Sequence, residues 1–286
     1  MMPGTIERIF SGRWIAGPSI SDALREAKKA QRYGIVPIVN YLGEAYKDKK
    51  SVERTIRIYI KAIDTLKARK LSFNISLKPS QLGILVDKGY CSKNYSRIVA
   101  YARKRGVFVW LDMEESSLVQ DTIDLYEGEI RKGGVGICIQ SYLKRSDSDI
   151  DRITKIRGSV IRLVKGAYSA GTDTAYNDRK DVTANYYKLM DKLFKRGHTF
   201  TIGTHDDKII RKALSLNRIH KRDVTYAMLR GIRNDYLIKL AESGHKTTMY
   251  LPFGEEWISY SYRRLREAGH LSLLIRSLFG PSVKEL

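Results

Sequence analysis

Short apolar runs alternate along this chain with longer stretches in which apolar residues recur every three or four positions. The longer stretches carry the signature of amphipathic helices, and the short runs that of buried strands. A first helix is predicted over residues 20–33 and stops at Gly34, and a strand follows over 35–40. The next helix is the clearest. Val52, Ile56, Tyr59, Ile63 and Leu66 step by four and three, so all five fall on one face. A strand at 71–77, a helix at 95–105 closed by Gly106 and a strand at 107–111 come next. Val119, Ile123, Tyr126 and Ile130 then stripe a helix that Gly133 and Gly134 end.

The rhythm continues with strands at 135–139, 160–164, 198–202, 224–229 and 247–251. Helices are expected between them at 150–155, 183–196, 209–216 and 236–243, and a last one at 255–268. Eight strands alternating with helices over about 250 residues is the arithmetic of a (β/α)8 barrel. An open doubly wound sheet also alternates, but it opens with a glycine-rich first turn, and no G-x-G-x-x-G follows the first strand. The expectation is a single-domain TIM barrel over residues 34–270. A helical segment, 1–33, precedes it and a tail, 271–286, follows.

Composition changes this picture in one respect. Lys and Arg number 52 against 31 Asp and Glu, a surplus of +21. The bases are scattered through helical stretches, and neither a continuous basic run nor a zinc-finger or RNA-recognition signature accompanies them, so no nucleic-acid partner is expected. A solvated outer face is the plain reading. Acidic lipid headgroups are the other partner such a surface suits, each basic residue near them adding about 1 kcal/mol. No apolar stretch approaches the length of a membrane span, and residues 1–17 lack the apolar run of a secretory signal. Cys91 and Cys138 have no metal or redox spacing. A cytoplasmic location follows, with peripheral contact at the inner face of the membrane as its extension.

In a barrel of this kind chemistry collects at the C-terminal ends of the strands. Strand two ends in Ser76-Leu77-Lys78, strand three in Asp112-Met113-Glu114-Glu115 and strand four in Gln140-Ser141-Tyr142. Strand five carries Arg162 and ends in Lys165-Gly166-Ala167-Tyr168, and strand six ends in Thr204-His205-Asp206. Strand seven leads into Arg230-Gly231, and strand eight holds Tyr250. Lys78 reads as a Schiff-base lysine, a carboxylate binder or a structural partner of Asp112. Arg162 sits at an inward position of an otherwise apolar strand; it cannot shed its charge, so it requires an anionic or electron-rich partner inside the barrel. With no second histidine at ligand spacing beside His205, no metal site is expected.

The last predicted helix adds a basic pair. At 100° per residue Tyr260, Arg263, Arg264 and Glu267 share one arc, while Ile258, Tyr262 and Leu265 lie opposite. Glu267 can engage one guanidinium and leave the other for a ligand carboxylate. A solvated basic helix face is the competing reading.

Taken in order, these stretches resemble the flavin-dependent proline dehydrogenases over nearly the whole chain. The matching segments are Ser76-Leu77-Lys78-Pro79-Ser80, Leu111-Asp112-Met113-Glu114, Gln140-Ser141-Tyr142-Leu143 and Arg162-Leu163-Val164-Lys165-Gly166-Ala167-Tyr168, then Thr204-His205-Asp206, Met228-Leu229 with Gly231, and Tyr250 through Arg263-Arg264-x-x-Glu267. The resemblance implies a distorted barrel holding FAD that oxidises L-proline to Δ1-pyrroline-5-carboxylate, the first step of proline catabolism. It implies that Arg263, Arg264 and Lys78 hold the substrate carboxylate. Asp112 would stand beside Lys78, Tyr250 and Tyr260 would form aromatic walls, and Arg162 would lie near the reactive flavin nitrogen. Asp112 and Arg162 are thus the catalytic candidates. Met113, Gln140, Lys165, Gly166, Ala167, Thr204 and His205 would contact FAD. Two positions depart from the pattern: Ser169 replaces a frequent tryptophan, and Arg230 a frequent tyrosine or histidine. The chain reads as monofunctional, so a separate pyrroline-5-carboxylate dehydrogenase would consume the product, and a quinone or soluble carrier would take the electrons. The alternative is a Schiff-base aldolase or lyase working through Lys78 or Lys165.

Overall fold

A computed structural model describes residues 14–256. Helix α1 (Ile20–Arg32) leads into β1 (Val36–Tyr41), and seven further strand–helix alternations follow. They are α2 (Lys49–Ala68), β2 (Asn74–Leu77), α3 (Lys88–Arg103), β3 (Phe108–Leu111), α4 (Val119–Ile130) and β4 (Val135–Gln140). Then come α5 (Ser146–Ile153), β5 (Ile161–Val164), α6 (Arg179–Arg196), β6 (Phe200–Gly203), α7 (Asp207–His220), β7 (Val224–Leu229), α8 (Asn234–Glu242) and β8 (Lys246–Phe253). Each strand pairs in parallel with the next, and β8 returns to β1, closing the barrel. The eight expected strands are all present. The helix expected over 255–268 lies outside the described residues, as do residues 1–13.

Alternation along the strands separates two environments. Val39, Ile75, Val109, Ile137, Leu163 and Ile202 point outward and join the main core with the helices. The five stripe residues of α2 and the four of α4 are buried in that same layer. Alanines 23, 27 and 30 let α1 pack tightly on it. Many inward positions are instead polar or aromatic, among them Asn40, Ser76, Trp110, Arg162, Thr201 and Tyr250, with Ile38, Val164, Ala227 and Leu229 as aliphatic exceptions. The apolar core is therefore a shell between strands and helices, and the lumen is left for other work.

Helix starts are fixed by side-chain caps. Ser19 and Asp22 form a reciprocal capping box on α1, and Asp48, Asp87, Asp178 and Asp206 accept backbone N–H bonds at the starts of α2, α3, α6 and α7. The Asp87 cap carries α3 seven residues upstream of its expected start, through a first turn with no apolar periodicity. At the other end β2 is shorter than expected. Leu71 and Phe73 are buried but precede the paired register, which starts at Asn74 opposite Ile38 and Phe108.

Candidate active site

The lumen holds one tightly knit ionic group. Arg162 on β5 directs Nη2 at Oδ1 of Asp112, just past β3, and at Ser76 Oγ on β2, 3.3 Å away. Ser76 Oγ donates to the same Asp112 oxygen at 2.7 Å, and the Tyr250 hydroxyl on β8 donates to Oδ2 at 2.6 Å. Three strands and the end of a fourth thus converge on one carboxylate. The guanidinium also lies over the rings of Trp110 and Tyr250, at 4.9 and 5.4 Å from their centroids. Arg162 is only 4% exposed. Burial alone would favour its neutral form, but the Asp112 carboxylate outweighs this and holds the guanidinium above its usual range. Cys138 is beside it, its thiol pushed up mainly by burial.

Above this group opens a cavity of about 210 Å³ at the C-terminal ends of the strands. Every site residue expected from the sequence that falls within the described residues lines it: Lys78, Asp112, Met113, Gln140, Arg162, Lys165, Gly166, Ala167, Thr204, His205 and Tyr250. Tyr260, Arg263 and Arg264 lie outside the described residues.

Lys78 differs from expectation in its partner. Its Nζ meets Glu44 Oε2 at 2.9 Å, whereas Asp112 is committed to Ser76, Arg162 and Tyr250. Glu44 follows β1, and the Tyr168 hydroxyl reaches the same oxygen at 3.4 Å. The strand-mouth rule applied to strand one would have found it. Glu114 is 3% exposed and accepts from the Ser80 N–H and hydroxyl at 2.8 and 2.6 Å. Burial pushes its carboxyl up, with the Lys78 charge and the Ser80 hydrogen bonds opposing the shift.

The opposite wall is built from the ends of β4, β5 and β6. Gln140 Nε2 donates to the Met113 carbonyl at 3.1 Å. Lys165 Nζ pairs with Asp206 Oδ2 at 2.8 Å. Burial would raise the Asp206 carboxyl, but that lysine and the α7 backbone N–H groups bring it below its usual range. His205 Nε2 accepts from the Leu229 N–H at 2.9 Å, which leaves Nδ1 as the donor of a neutral ring. Gly166 has φ +111, and a Cβ there would lie 2.2 Å from Tyr142 Cδ1. At Gly203 a Cβ would meet Val164 Cγ1 at 2.8 Å. Both glycines line the cavity, and at each the side-chain direction is already filled by a neighbour, so only backbone is present there.

Two buried polar atoms on the cavity wall lack a hydrogen-bond partner among the described residues, Arg162 Nη1 and Gln140 Oε1. Together they offer a cationic donor and an amide to a planar, electron-rich heterocycle. Arg230 turns away from the cavity. Its guanidinium binds Glu26 Oε2 at 2.9 Å and the Ile15 carbonyl at 3.0 Å.

Comparison with known proteins places this geometry. A sequence profile described as proline dehydrogenase matches residues 23–276. Proline dehydrogenase 2 of Bacillus subtilis (strain 168) is 31% identical over 264 residues, covering 91% of this chain and 87% of that protein. The proline dehydrogenase of Deinococcus radiodurans is 33% identical over 264 residues, covering 89% and 85%. Among solved structures, proline utilization A (PutA) from Bdellovibrio bacteriovorus, inactivated by N-propargylglycine, is similar with a TM-score of 0.83 at 23% identity. The match covers 91% of this chain but 33% of that longer one, and it shows the shared fold.

Proposed function

The chain belongs to the proline dehydrogenase family, and from that premise we propose that it oxidises L-proline to Δ1-pyrroline-5-carboxylate with FAD. The observation that carries this reading is the buried Asp112–Arg162 group under a cavity with an unpartnered guanidinium nitrogen and amide oxygen on its wall. These suit a flavin ring. Met113, Gln140, Arg162, Lys165, Gly166, Ala167, Thr204 and His205 would hold it, with the bare backbone at Gly166 and Gly203 allowing close approach. FAD, when bound, supplies the hydride acceptor.

The chain's own residues then bind and orient. Lys78, fixed by Glu44, presents a cation for the substrate carboxylate, and Arg263 and Arg264 would complete the clamp. Tyr250, held by its bond to Asp112, forms one wall of the pocket, and Tyr260 would form another. Arg162 places a fixed positive charge where negative charge gathers during oxidation, in a site sheltered from water. Asp112 acts through Arg162 by aiming the guanidinium. The bond broken is the C–H next to the ring nitrogen on the side away from the carboxylate, so the clamp keeps its grip through to product.

A quinone or soluble carrier would take the electrons, and a separate dehydrogenase would consume the imine. The excess of cations suits an acidic membrane surface, consistent with a cytoplasmic or peripheral location. No helix among the described residues is long and apolar enough to cross a membrane. The Schiff-base reading is disfavoured because Lys78 and Lys165 are each engaged by a carboxylate, whereas a nucleophilic lysine needs its nitrogen free.

The test is spectroscopic. Purified protein supplied with FAD should show a flavin spectrum that bleaches on anaerobic addition of millimolar L-proline. A bound flavin that stays oxidised under those conditions refutes the reaction.

A further inference from the structure

Residues 14–17 lie across one side of the barrel mouth. The Ala16 N–H donates to the Pro252 carbonyl at 2.8 Å and the Gly254 N–H to the Gly17 carbonyl at 3.0 Å, which laces this segment to the end of β8. Trp14 and Ile15 are buried with Leu42 and Leu229 in a small apolar cluster separate from the main core, and Tyr250 packs against it. Leu229 and Tyr250 also line the cavity, whereas Trp14 and Ile15 do not. Going outward from the cavity, the order is wall and then backing.

Arg230 fixes that backing. It directly follows Leu229, its N–H donates to the Tyr250 carbonyl at 3.0 Å, and its side chain is buried. Nε and Nη2 both meet Glu26 Oε2 on α1, at 3.1 and 2.9 Å, and Nη1 donates to the Ile15 carbonyl at 3.0 Å. One planar fork thus joins α1 and residue 15 to the end of β7, a geometry that the single ammonium of a lysine does not reproduce. For Leu229 and Tyr250 to give way to a larger ring they must displace Trp14 and Ile15, and the fork resists that displacement. Against a close-packed wall held in this way, even one added methylene is felt.

We propose that Arg230 is a specificity-determining positioning residue: through the backing it holds, it keeps the Leu229–Tyr250 wall fitted to a five-membered cyclic amino acid and closed to a six-membered one. This rests on the reading that the chain oxidises proline. Arg230 turns away from the cavity, so it acts through Ile15 and Trp14 on the wall. Loosening it should change the choice between rings more than it changes the turnover of proline.

FAD-loaded protein is assayed with L-proline and with L-pipecolate, its six-membered homologue, using an artificial electron acceptor. The parent should prefer proline by at least about tenfold in kcat/KM. Arg230→Met should narrow that preference at least about fivefold, and Arg230→Lys should do the same although it keeps the charge. In Arg230→Met the Glu26 carboxylate still has Lys29 at 3.2 Å, so what is lost is the link to Ile15. Trp14→Ala removes the backing, leaves the fork and should narrow the preference as much; it carries the test where Arg230→Met does not fold. Glu129→Gln weakens a buried ion pair at the far end of α4 and should leave the preference unchanged. Hydrogen exchange in the peptides holding Ala16 and Gly254 reads the clamp without activity, and should quicken at least about tenfold in Arg230→Met. A parent without a preference overturns the proposal, as does a preference unmoved by Arg230→Met or by Trp14→Ala. Unchanged exchange, or an equal narrowing in Glu129→Gln, also overturns it. A flavin-loaded parent that oxidises neither amino acid is a different result: it refutes the proline reaction itself, and this proposal with it.

Discussion

Removing the Asp112 carboxylate tests whether the lumen is held together as an ionic unit. In Asp112→Ala the Arg162 guanidinium, 5% exposed as a side chain, keeps its charge but loses its counter-ion. The Ser76 and Tyr250 hydroxyls lose the acceptor that they reach at 2.7 and 2.6 Å. Breaking one side of a buried ion pair costs about 3–5 kcal/mol, and the stranded hydroxyls overlap with that cost rather than adding fully to it. For a domain of this size about 4 kcal/mol corresponds to a fall in Tm of roughly 10 °C. The double variant Asp112→Ala/Arg162→Met removes the stranded charge and replaces it with a side chain that can pack on Trp110. It should recover most of the loss, to within about 2 kcal/mol of the parent. Thermal unfolding of flavin-free protein, followed by circular dichroism, reads both. The reasoning is refuted if Asp112→Ala shifts Tm by less than about 2 °C, or if the double variant is no more stable than the single.

Two further outcomes follow from groups around the cavity. Burial raises the folded-state pKa of Glu114, so its contribution is fully present below the ordinary glutamate range and is lost as pH rises through the raised value. Glu114→Gln keeps an oxygen to accept from the Ser80 N–H and can donate its NH2 to Ser80 Oγ in place of the second acceptor, so urea unfolding between pH 4.5 and 7.5 should show a flatter pH dependence and equal or greater stability at the upper end; a variant less stable than the parent at pH 7.5 contradicts this. Gly166→Ala forces a Cβ into the Tyr142 ring at a φ of +111 and should cost about 1–3 kcal/mol, with loss of flavin on gel filtration. Unchanged flavin retention would show that this backbone does not shape the cofactor's seat.

How much of this was legible beforehand depended on whether a feature was local. The stripes of α2 and α4 are local, and they marked buried faces correctly. Lys78, Asp112, Gln140, Arg162 and His205 line one cavity, as expected from the topological rule that sends strand ends to one mouth. Pairing was not legible. Lys78 takes Glu44 from the first strand's loop and Asp112 takes Arg162 from across the lumen, choices that depend on side-chain reach between strands distant in sequence. The start of α3 was missed because its first turn is polar, although the Asp87 cap was there to be read. The role of Arg230 is tertiary: it clamps Glu26 and the Ile15 carbonyl, tying the segment before β1 to the end of β7.

The placement of the apolar shell outside the strands has a consequence for how such a protein can change. What keeps the staves upright lies behind them, so residues facing the axis answer to the bound molecule first and to cohesion second. A lineage can therefore refit the inside, one stave at a time, for a different small amine without rebuilding the cask. Asp112 and Arg162 are a place where that freedom stops, because there the contents and the hoop are the same atoms.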